Sequence, residues 1–442
     1  MKEFDLDKLF NNFIPEHMKN RGILVFNTRF NPIKDLLEHR VVPDKGWKKE
    51  IIEFFFNILS SMDTDKDTNA ARIGEREARV ASTYVGNLAE NFCHGIGRGG
   101  RLIGAQPKAP GASILQDIGN RLALSFLKKL GTPGIKSAIV VPMATGMSIS
   151  LILAELRDEI KGSEVIYPRA DHRSPLKGIE YVGLEPIIIE GTLNERDGVI
   201  IPPEKIEDAI TDKTAAILST TSFFPPRECD DVKEIAKIAK SNNIPHIINN
   251  AYGAQNVFYM KKIQGAIDAG RVDGIIQSTD KNFLTPVGGA IISSPNENLI
   301  ERVAEKYAGR ANAAPIVQFV AAVLTLGYKN YLLLQENQRK NRNLLQKELN
   351  IIADKHEERV LEVENPISCA ITINSRNPKS FGGVLYKLRV TGSRAIEKNS
   401  KWGPSLNNYP DNYISMSSAL GVQEEDILIA FERIDKAFQQ TK

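Results

Sequence analysis

The sequence predicts an α/β fold built on a mainly parallel, seven-stranded sheet covered by helices. Two observations carry that expectation. Seven short apolar runs recur in the middle of the chain: Ala138–Val141, Glu164–Tyr167, Pro186–Ile189, Ala215–Leu218, Pro245–Ile248, Gly274–Ile276 and Ala290–Ile292. They do not alternate apolar with polar, which is the pattern of strands buried on both faces. Helical segments lie between several of them, such as Ile149–Arg157 and Val232–Lys240, where Val232, Ile235, Ala236 and Ala239 share one side. The chain has 442 residues, 42% of them hydrophobic, which is enough for a large core and more than a typical single domain.

The flanking regions read differently. Residues 1–65 form an N-terminal helical extension. Leu6, Leu9, Phe10, Phe13 and Ile14 recur at helical spacing, and Trp47, Ile51, Ile52, Phe54, Phe55, Ile58 and Leu59 give a stronger pattern. This second helix serves either a subunit interface or the core. Residues 66–300 form the large domain. It opens on a long irregular stretch, residues 66–112, rich in glycine and arginine; such stretches are often functional. A helix from Ser113 to Leu130 follows and stops at Gly131-Thr132-Pro133-Gly134. Residues 301–442 form a smaller C-terminal α+β domain. Leu332–Leu349 and Glu424–Phe438 are helical patterns there, while Cys369–Ile373 and Gly383–Arg389 read as strands.

Bulk properties narrow the function. The net charge of +3 does not demand nucleic acid and does not exclude a local basic surface. Cys93, Cys229 and Cys369 are far apart and odd in number, with neither a disulfide framework nor zinc-ligand spacing. No metal is expected, and a reducing, cytoplasmic setting fits. No run approaches the length of a membrane span, and the start of the chain is acidic and lacks an apolar signal core.

In open α/β sheets, ligands bind beyond the carboxyl ends of the strands. Four polar groups stand at those ends. Val140-Val141-Pro142 leads into Met143-Ala144-Thr145-Gly146, where a helix start and the Thr145 hydroxyl suit a phosphate. This is neither a Walker A loop nor GxGxxG, and taken alone it reads more simply as a plain strand-to-helix turn. His172 offers a flat ring for stacking on a pyridine, or is a polar loop histidine. Asn249, in Asn249-Asn250-Ala251-Tyr252-Gly253, can meet a ring nitrogen through a neutral hydrogen bond, or makes an Asx turn. Lys281, in Ser278-Thr279-Asp280-Lys281-Asn282-Phe283, follows a strand and precedes Pro286-Val287-Gly288-Gly289. A lysine on that turn suits a Schiff base with an aldehyde cofactor, although an ordinary solvated turn lysine has the same local sequence. The recurrence of four such groups, each after a predicted strand, favours a pyridoxal-phosphate site.

With these segments stand Gly74-Glu75-Arg76-Glu77-Ala78-Arg79-Val80, Gly97-Arg98, Gln106-Pro107-Lys108, Gly309-Arg310-Ala311, Val390-Thr391-Gly392-Ser393-Arg394 and Asn407-Asn408-Tyr409-Pro410. Together they resemble the O-phosphoseryl-tRNA(Sec):selenocysteinyl-tRNA(Sec) synthase family, archaeal and eukaryotic type, over essentially the whole chain. The resemblance implies a fold type I pyridoxal-phosphate transferase. It implies conversion of O-phosphoseryl-tRNA(Sec) to selenocysteinyl-tRNA(Sec), with selenophosphate as selenium donor, by elimination of phosphate and addition of selenium. It makes Lys281 the cofactor lysine and catalytic base. Arg76, Ala144, Thr145, Gly146, His172, Asn249 and Ser278 join it as cofactor contacts, with Arg76 crossing a subunit interface.

The same resemblance assigns the substrate phosphate to Arg98, Gly99, Gln106, Arg173 and Arg310. Gly99 stands where the family has serine, so that contact would fall to a backbone donor, and Arg173 stands where it has lysine. Glu75 would repel the free α-carboxylate that an aminoacyl ester lacks; the alternative is an ion pair with Arg79 at i, i+4. Arg394 would contact tRNA. The N-terminal helices correspond to the region that takes the acceptor arm, and Lys19, Arg21, Lys48 and Lys49 there either meet phosphates or form a solvated face. Asp268 replaces a further family arginine, with Arg271 nearby. A homotetramer, a dimer of dimers, is implied as well.

Two rivals differ in kind. A desulfurase of the same fold needs a mobile catalytic cysteine, and neither Cys93 nor Cys369 stands as one. A non-catalytic RNA-binding scaffold would not need Lys281, Asn249 and the Ala144-Thr145-Gly146 turn together.

Overall fold

The computed structural model describes Lys8 and residues 10–441. Leu6 and Leu9 of the first helical pattern lie outside the described residues, and residues 10–14 form turns rather than a helix. The first long helix among the described residues is α1 (Glu16–His39), followed by α2 (Lys49–Ser60). Phe55, Phe56 and Leu59 of α2 are buried in the main core, so its strong apolar face serves the core of its own chain.

Among the described residues, seven strands make the main sheet: β1 (Ser137–Val141), β2 (Glu164–Pro168), β3 (Glu185–Ile189), β4 (Thr214–Thr220), β5 (His246–Asn249), β6 (Gly274–Ser278) and β7 (Ala290–Ser294). Their order is β1-β7-β6-β5-β4-β2-β3. The pairs β2–β3, β2–β4, β4–β5 and β5–β6 are parallel, whereas β7 runs antiparallel to both β1 and β6. The carboxyl ends of β1, β2, β5 and β6 therefore share one edge of the sheet. All seven apolar runs are strands, and β4 to β7 are buried at every position.

The helices between strands follow the expected periods. They include α3 (Pro110–Lys129), α4 (Thr145–Ile160), α5 (Arg173–Tyr181), α6 (Val232–Ser241), α7 (Val257–Ala269) and the single-turn α8 (Thr279–Phe283). In α6, Val232, Ile235, Ala236 and Ala239 are the buried side, and Asp231 caps the helix by accepting the Glu234 amide. α9 (Glu297–Glu305) leads to the long α10 (Ala314–His356), which bends at Gly327 (φ 60°, ψ 172°). The bend has a local cause. The 43–47 segment enters the helix ladder there: Trp47 N–H donates to the Leu324 carbonyl at 2.7 Å, and Tyr328 N–H to the Pro43 carbonyl at 2.9 Å. A side chain at 327 would sit 2.5 Å from the Gly46 nitrogen, so only glycine fits. By length and composition α10 could cross a bilayer, but Ile316, Phe319, Val320, Val323 and Leu324 are spent in the protein core.

The C-terminal part has its own core, around Leu345, Leu349, Ile371, Phe381, Ile414, Ile434 and Phe438. Its sheet is β8 (Ser368–Thr372), β10 (Tyr413–Ser417) and β9 (Arg394–Ile396), in that order and antiparallel. The expected strand at Gly383–Arg389 is instead part of a helix, α11 (Pro378–Lys387). Asn377 caps it by accepting the Ser380 amide, Pro378 sits in its first turn, and Phe381 and Leu385 bury one side at i, i+4. The last helix is α12 (Glu424–Gln440), opened by a capping box between Gln423 and Asp426.

Candidate active site

Lys281 stands on α8, one helical turn that replaces the expected simple turn. Leu284 ends it in the left-handed region, at φ 56°. Two devices hold it. Phe283 is fully buried with ring centroids 5.1 Å from Phe319 and 5.3 Å from Phe126. Asn282 is also buried, and its Nδ2 donates to the carbonyls of Ser278 at 2.7 Å and Ala251 at 2.9 Å. The turn is thereby tied to the loop that follows Asn249. Ser278 caps α8, and its hydroxyl donates to the Asp280 carboxylate.

A cavity of about 350 Å³ opens beside Lys281. His172, Asn249, Tyr252 and Lys281 line it, with Phe223, Phe224 and Leu420 among the apolar walls. His172 is the cap residue of α5, at the end of the β2 loop. Desolvation by the surrounding cavity wall, aided by the charges of Lys281 and Arg394, lowers the affinity of its imidazole for a proton. Asn249 closes β5 and is 7% exposed, with its Oδ1 unpartnered. Across the same edge, Ala144-Thr145-Gly146 starts α4, with Ala144 as cap and no side chain bonded to the helix amides. The Thr145 hydroxyl is likewise buried without a partner. Gly146 lets α5 come close, since a Cβ there would lie 3.1 Å from Ser174 Cβ.

Arg394, on β9, lays its guanidinium 4.6 Å above the Phe224 ring. Phe224 is part of the cavity wall, so Arg394 borders the same site.

A second, separate cleft of about 260 Å³ is lined by Glu75, Arg76, Arg79, His94 and Arg310. Burial, reinforced by the charge of Arg76, lowers the affinity of the Arg310 guanidinium for its proton. Its Nη2 donates to the His94 carbonyl and its Nε is buried without an acceptor. The paired backbone bonds between Ile96 and Ala311 set the Arg98 hairpin beside Arg310. That hairpin turns through Gly97, Gly99 and Gly100, all at positive φ, and leaves Arg98 exposed. Gln106 lies farther along the same stretch, with its backbone amide bonded to Ser113 Oγ at 3.0 Å.

The whole chain can now be set against known proteins. The O-phosphoseryl-tRNA(Sec) selenium transferase (SepSecS) family model matches residues 62–439. The chain belongs to this family. It is 44% identical over 429 residues to the O-phosphoseryl-tRNA(Sec) selenium transferase of Methanocaldococcus jannaschii, covering 96% of this chain and 98% of that protein. The Dictyostelium discoideum enzyme of the same name is 34% identical, covering 93% and 95%. The crystal structure of an archaeal SepSecS superposes with a TM-score of 0.93 at 42% identity, over 99% of this chain and 100% of that one. A Burkholderia pseudomallei sphingosine-1-phosphate lyase shares the fold alone, with a TM-score of 0.59 at 14% identity.

For a SepSecS chain, the residues fit pyridoxal phosphate. Asn249 Oδ1 is an unused acceptor for a ring N–H, and the Thr145 hydroxyl and the uncapped α4 amides are unused partners for a phosphate. The structure gathers His172, Asn249 and Lys281 in one cavity and Glu75, Arg76 and Arg310 in another. Arg173 is exposed at the first turn of α5 and lines neither. The Glu75–Arg79 ion pair does not form; Arg79 donates to the carbonyls of Gly74, at 3.0 Å, and Arg72. Arg271 is held by Asp273 at 2.9 Å and by Asn243. Reading the sequence missed Phe223, Phe224 and Leu420 as site residues. Phe223 and Phe224 follow β4, so the strand-end rule that found Asn249 applies to them too, whereas Leu420 is brought in only by the C-terminal part.

Proposed function

We propose that this chain converts O-phosphoseryl-tRNA(Sec) to selenocysteinyl-tRNA(Sec), using selenophosphate. The convergence of Lys281, His172 and Asn249 on one cavity, in a chain that matches SepSecS over nearly its full length, carries this reading. Bound pyridoxal phosphate supplies an electron sink for the charge left when a proton leaves the substrate α-carbon.

The protein supplies the rest. Asn249 would meet the ring nitrogen of bound pyridoxal phosphate through its side-chain amide, and the flat His172 ring would stack on the pyridine. Thr145 and the backbone of Ala144 and Gly146 would hold the cofactor phosphate, with Ser278 as a further contact. Lys281 Nζ would anchor the cofactor and, once free, would hold the proton taken from the substrate α-carbon. Arg98, Gln106, Arg173 and Arg310, with the Gly99 backbone, bind the phosphate that leaves the β-carbon; guanidinium groups suit it because they donate two parallel bonds. Arg76 reaches the cofactor of a second copy, which accounts for its lying in a cleft apart from Lys281. Glu75 repels a free α-carboxylate. Arg394, beside the cavity mouth, contacts the tRNA end. The assembly is a homotetramer built from two dimers. The domain limits are 1–65, 66–300 and 301–442, and the protein works in the cytoplasm.

The test gives the protein phosphoseryl-tRNA, seryl-tRNA or free phosphoserine, each with selenophosphate. Turnover of the first alone is expected, because phosphate leaves far more readily than hydroxide and free phosphoserine carries the excluded carboxylate. Turnover of seryl-tRNA at the same rate overturns the reading.

A further inference from the structure

Two segments set apart by their sequence meet in the structure and have no role in the chemistry above: Asp171, next to His172, and the turn around Asn407. The Asp171 carboxylate is fully enclosed, with its side chain 0% exposed. Its Oδ1 accepts Arg169 Nε at 2.8 Å and its Oδ2 accepts Arg169 Nη2 at 3.2 Å. The same Oδ2 accepts the backbone N–H groups of Gly403 at 2.6 Å and Ser405 at 2.8 Å. In return the Asp171 N–H donates to Ser405 Oγ at 3.0 Å. Arg169 Nη1 spans onward to Glu190 at 2.7 Å and Asn407 Oδ1 at 3.0 Å, and its Nη2 to the Lys401 carbonyl at 2.7 Å. The Asn407 N–H closes the ring on Glu190 at 2.7 Å. Every second residue from 401 to 407 is thus fastened to the loop that presents His172. This strap lies between β9, which carries Arg394, and β10, which ends at Ser417 in the cavity wall.

We propose that Arg169 and Asp171 are positioning residues: they clamp the 401–407 strap and so hold His172 and Arg394 in fixed relation across the Lys281 cavity. The clamp rests on the reading of His172 as a cofactor contact and of Arg394 as a tRNA contact. A buried charge pair of this kind adds little net stability, because desolvation offsets its attraction, yet breaking it leaves a charge unpaired. Its value is geometric: a stacking ring and a guanidinium act only when their supports are locked.

The experiment compares Asp171→Asn with Arg359→Met. Arg359 links Asp197 and Asp411, each at 2.6 Å, and so fastens the same two parts of the chain without touching residues 169–172 or the strap. Three readouts apply: hydrogen exchange of 401–407 in the cofactor-free protein, affinity and visible absorption of bound pyridoxal phosphate, and KM against kcat for phosphoseryl-tRNA. For Asp171→Asn, exchange at least about tenfold faster is expected. Cofactor affinity about tenfold weaker, a changed absorption band and a raised KM are expected with it, on the scale of one lost charge-assisted hydrogen bond. Arg359→Met leaves affinity, band and KM within about twofold. Unchanged exchange in Asp171→Asn overturns the clamp, as does an equal loss in Arg359→Met. If Asp171→Asn does not fold, Ser405→Ala removes only the acceptor of the Asp171 N–H and shows the same changes at about threefold; no change overturns the clamp. A wild type that binds no pyridoxal phosphate overturns the cofactor reading itself. The exchange rates still report separately whether the clamp exists.

Discussion

Glu75 is exposed and shares its cleft with Arg76 and Arg310, so its charge faces whatever those arginines attract. If Glu75 is the filter proposed above, a ligand drawn to the cleft by its phosphate meets a carboxylate that opposes a second negative group. Glu75→Gln is therefore expected to raise kcat/KM for free phosphoserine about tenfold, the scale of one partly solvated like-charge contact. Turnover of phosphoseryl-tRNA stays within about threefold. Steady-state kinetics on the two substrates decides it, and an unchanged preference removes Glu75 from the filter. A second residue-scale effect concerns His246, fully buried at the start of β5 beneath the site. Its Nδ1–H donates to the Arg271 carbonyl at 3.3 Å and its Nε2 accepts the Ser219 hydroxyl at 2.7 Å. Burial pushes its pKa down to about 4. In the unfolded chain the ring regains its ordinary value, so between pH 6.5 and 4 the unfolded state binds a proton that the folded state refuses. Stability is then full above pH 6.5 and declines as pH falls to 4, by about 3 kcal/mol in all. Urea melts from pH 7 to 4 should show that decline, and His246→Gln should flatten it.

α8 is too short to be stable by itself, and the larger of its two supports is the Phe283 plug among Phe126, Phe319 and Tyr331. Phe283→Ala should cost about 3–5 kcal/mol in a denaturant titration and loosen the turn that carries Lys281. A smaller loss means that Asn282 alone holds the turn. At this scale much of the fold was legible in the sequence, for a definite reason. Strands buried on both faces are mostly apolar at their centres, so β4 to β7 announce themselves even though they also bury polar residues such as His246 and Gln277. Gly383–Arg389 was misread because it carries Val384, Tyr386 and Leu388 in alternation. The helix forms because the i, i+4 pair Phe381 and Leu385 is what the C-terminal core buries, while Tyr386 remains 78% exposed. The α10 bend was not legible either, since its cause is a segment far away in sequence, residues 43–47.

Across the whole molecule, Lys281 and Arg76 line two different clefts of one chain. If each active site takes Lys281 from one copy and Arg76 from another, Lys281→Ala and Arg76→Ala chains fail separately but complement when co-expressed. Statistical assortment in a symmetric dimer restores about a quarter of the wild-type sites. An activity assay on the purified mixture measures it, and no recovery places both residues in the site of one chain. The sequence by itself determined the sheet, the order of its strand-end groups and the family. Those follow from local burial patterns and from residues that stand next to one another in the chain. Only the tertiary structure decided that Lys281 rides on a helical turn, that the arginine cleft is separate, and that Asp171 and the 401–407 strap form one network. Each of these depends on contacts between residues far apart in the chain, and no local period or propensity encodes which distant partner a polar group will find.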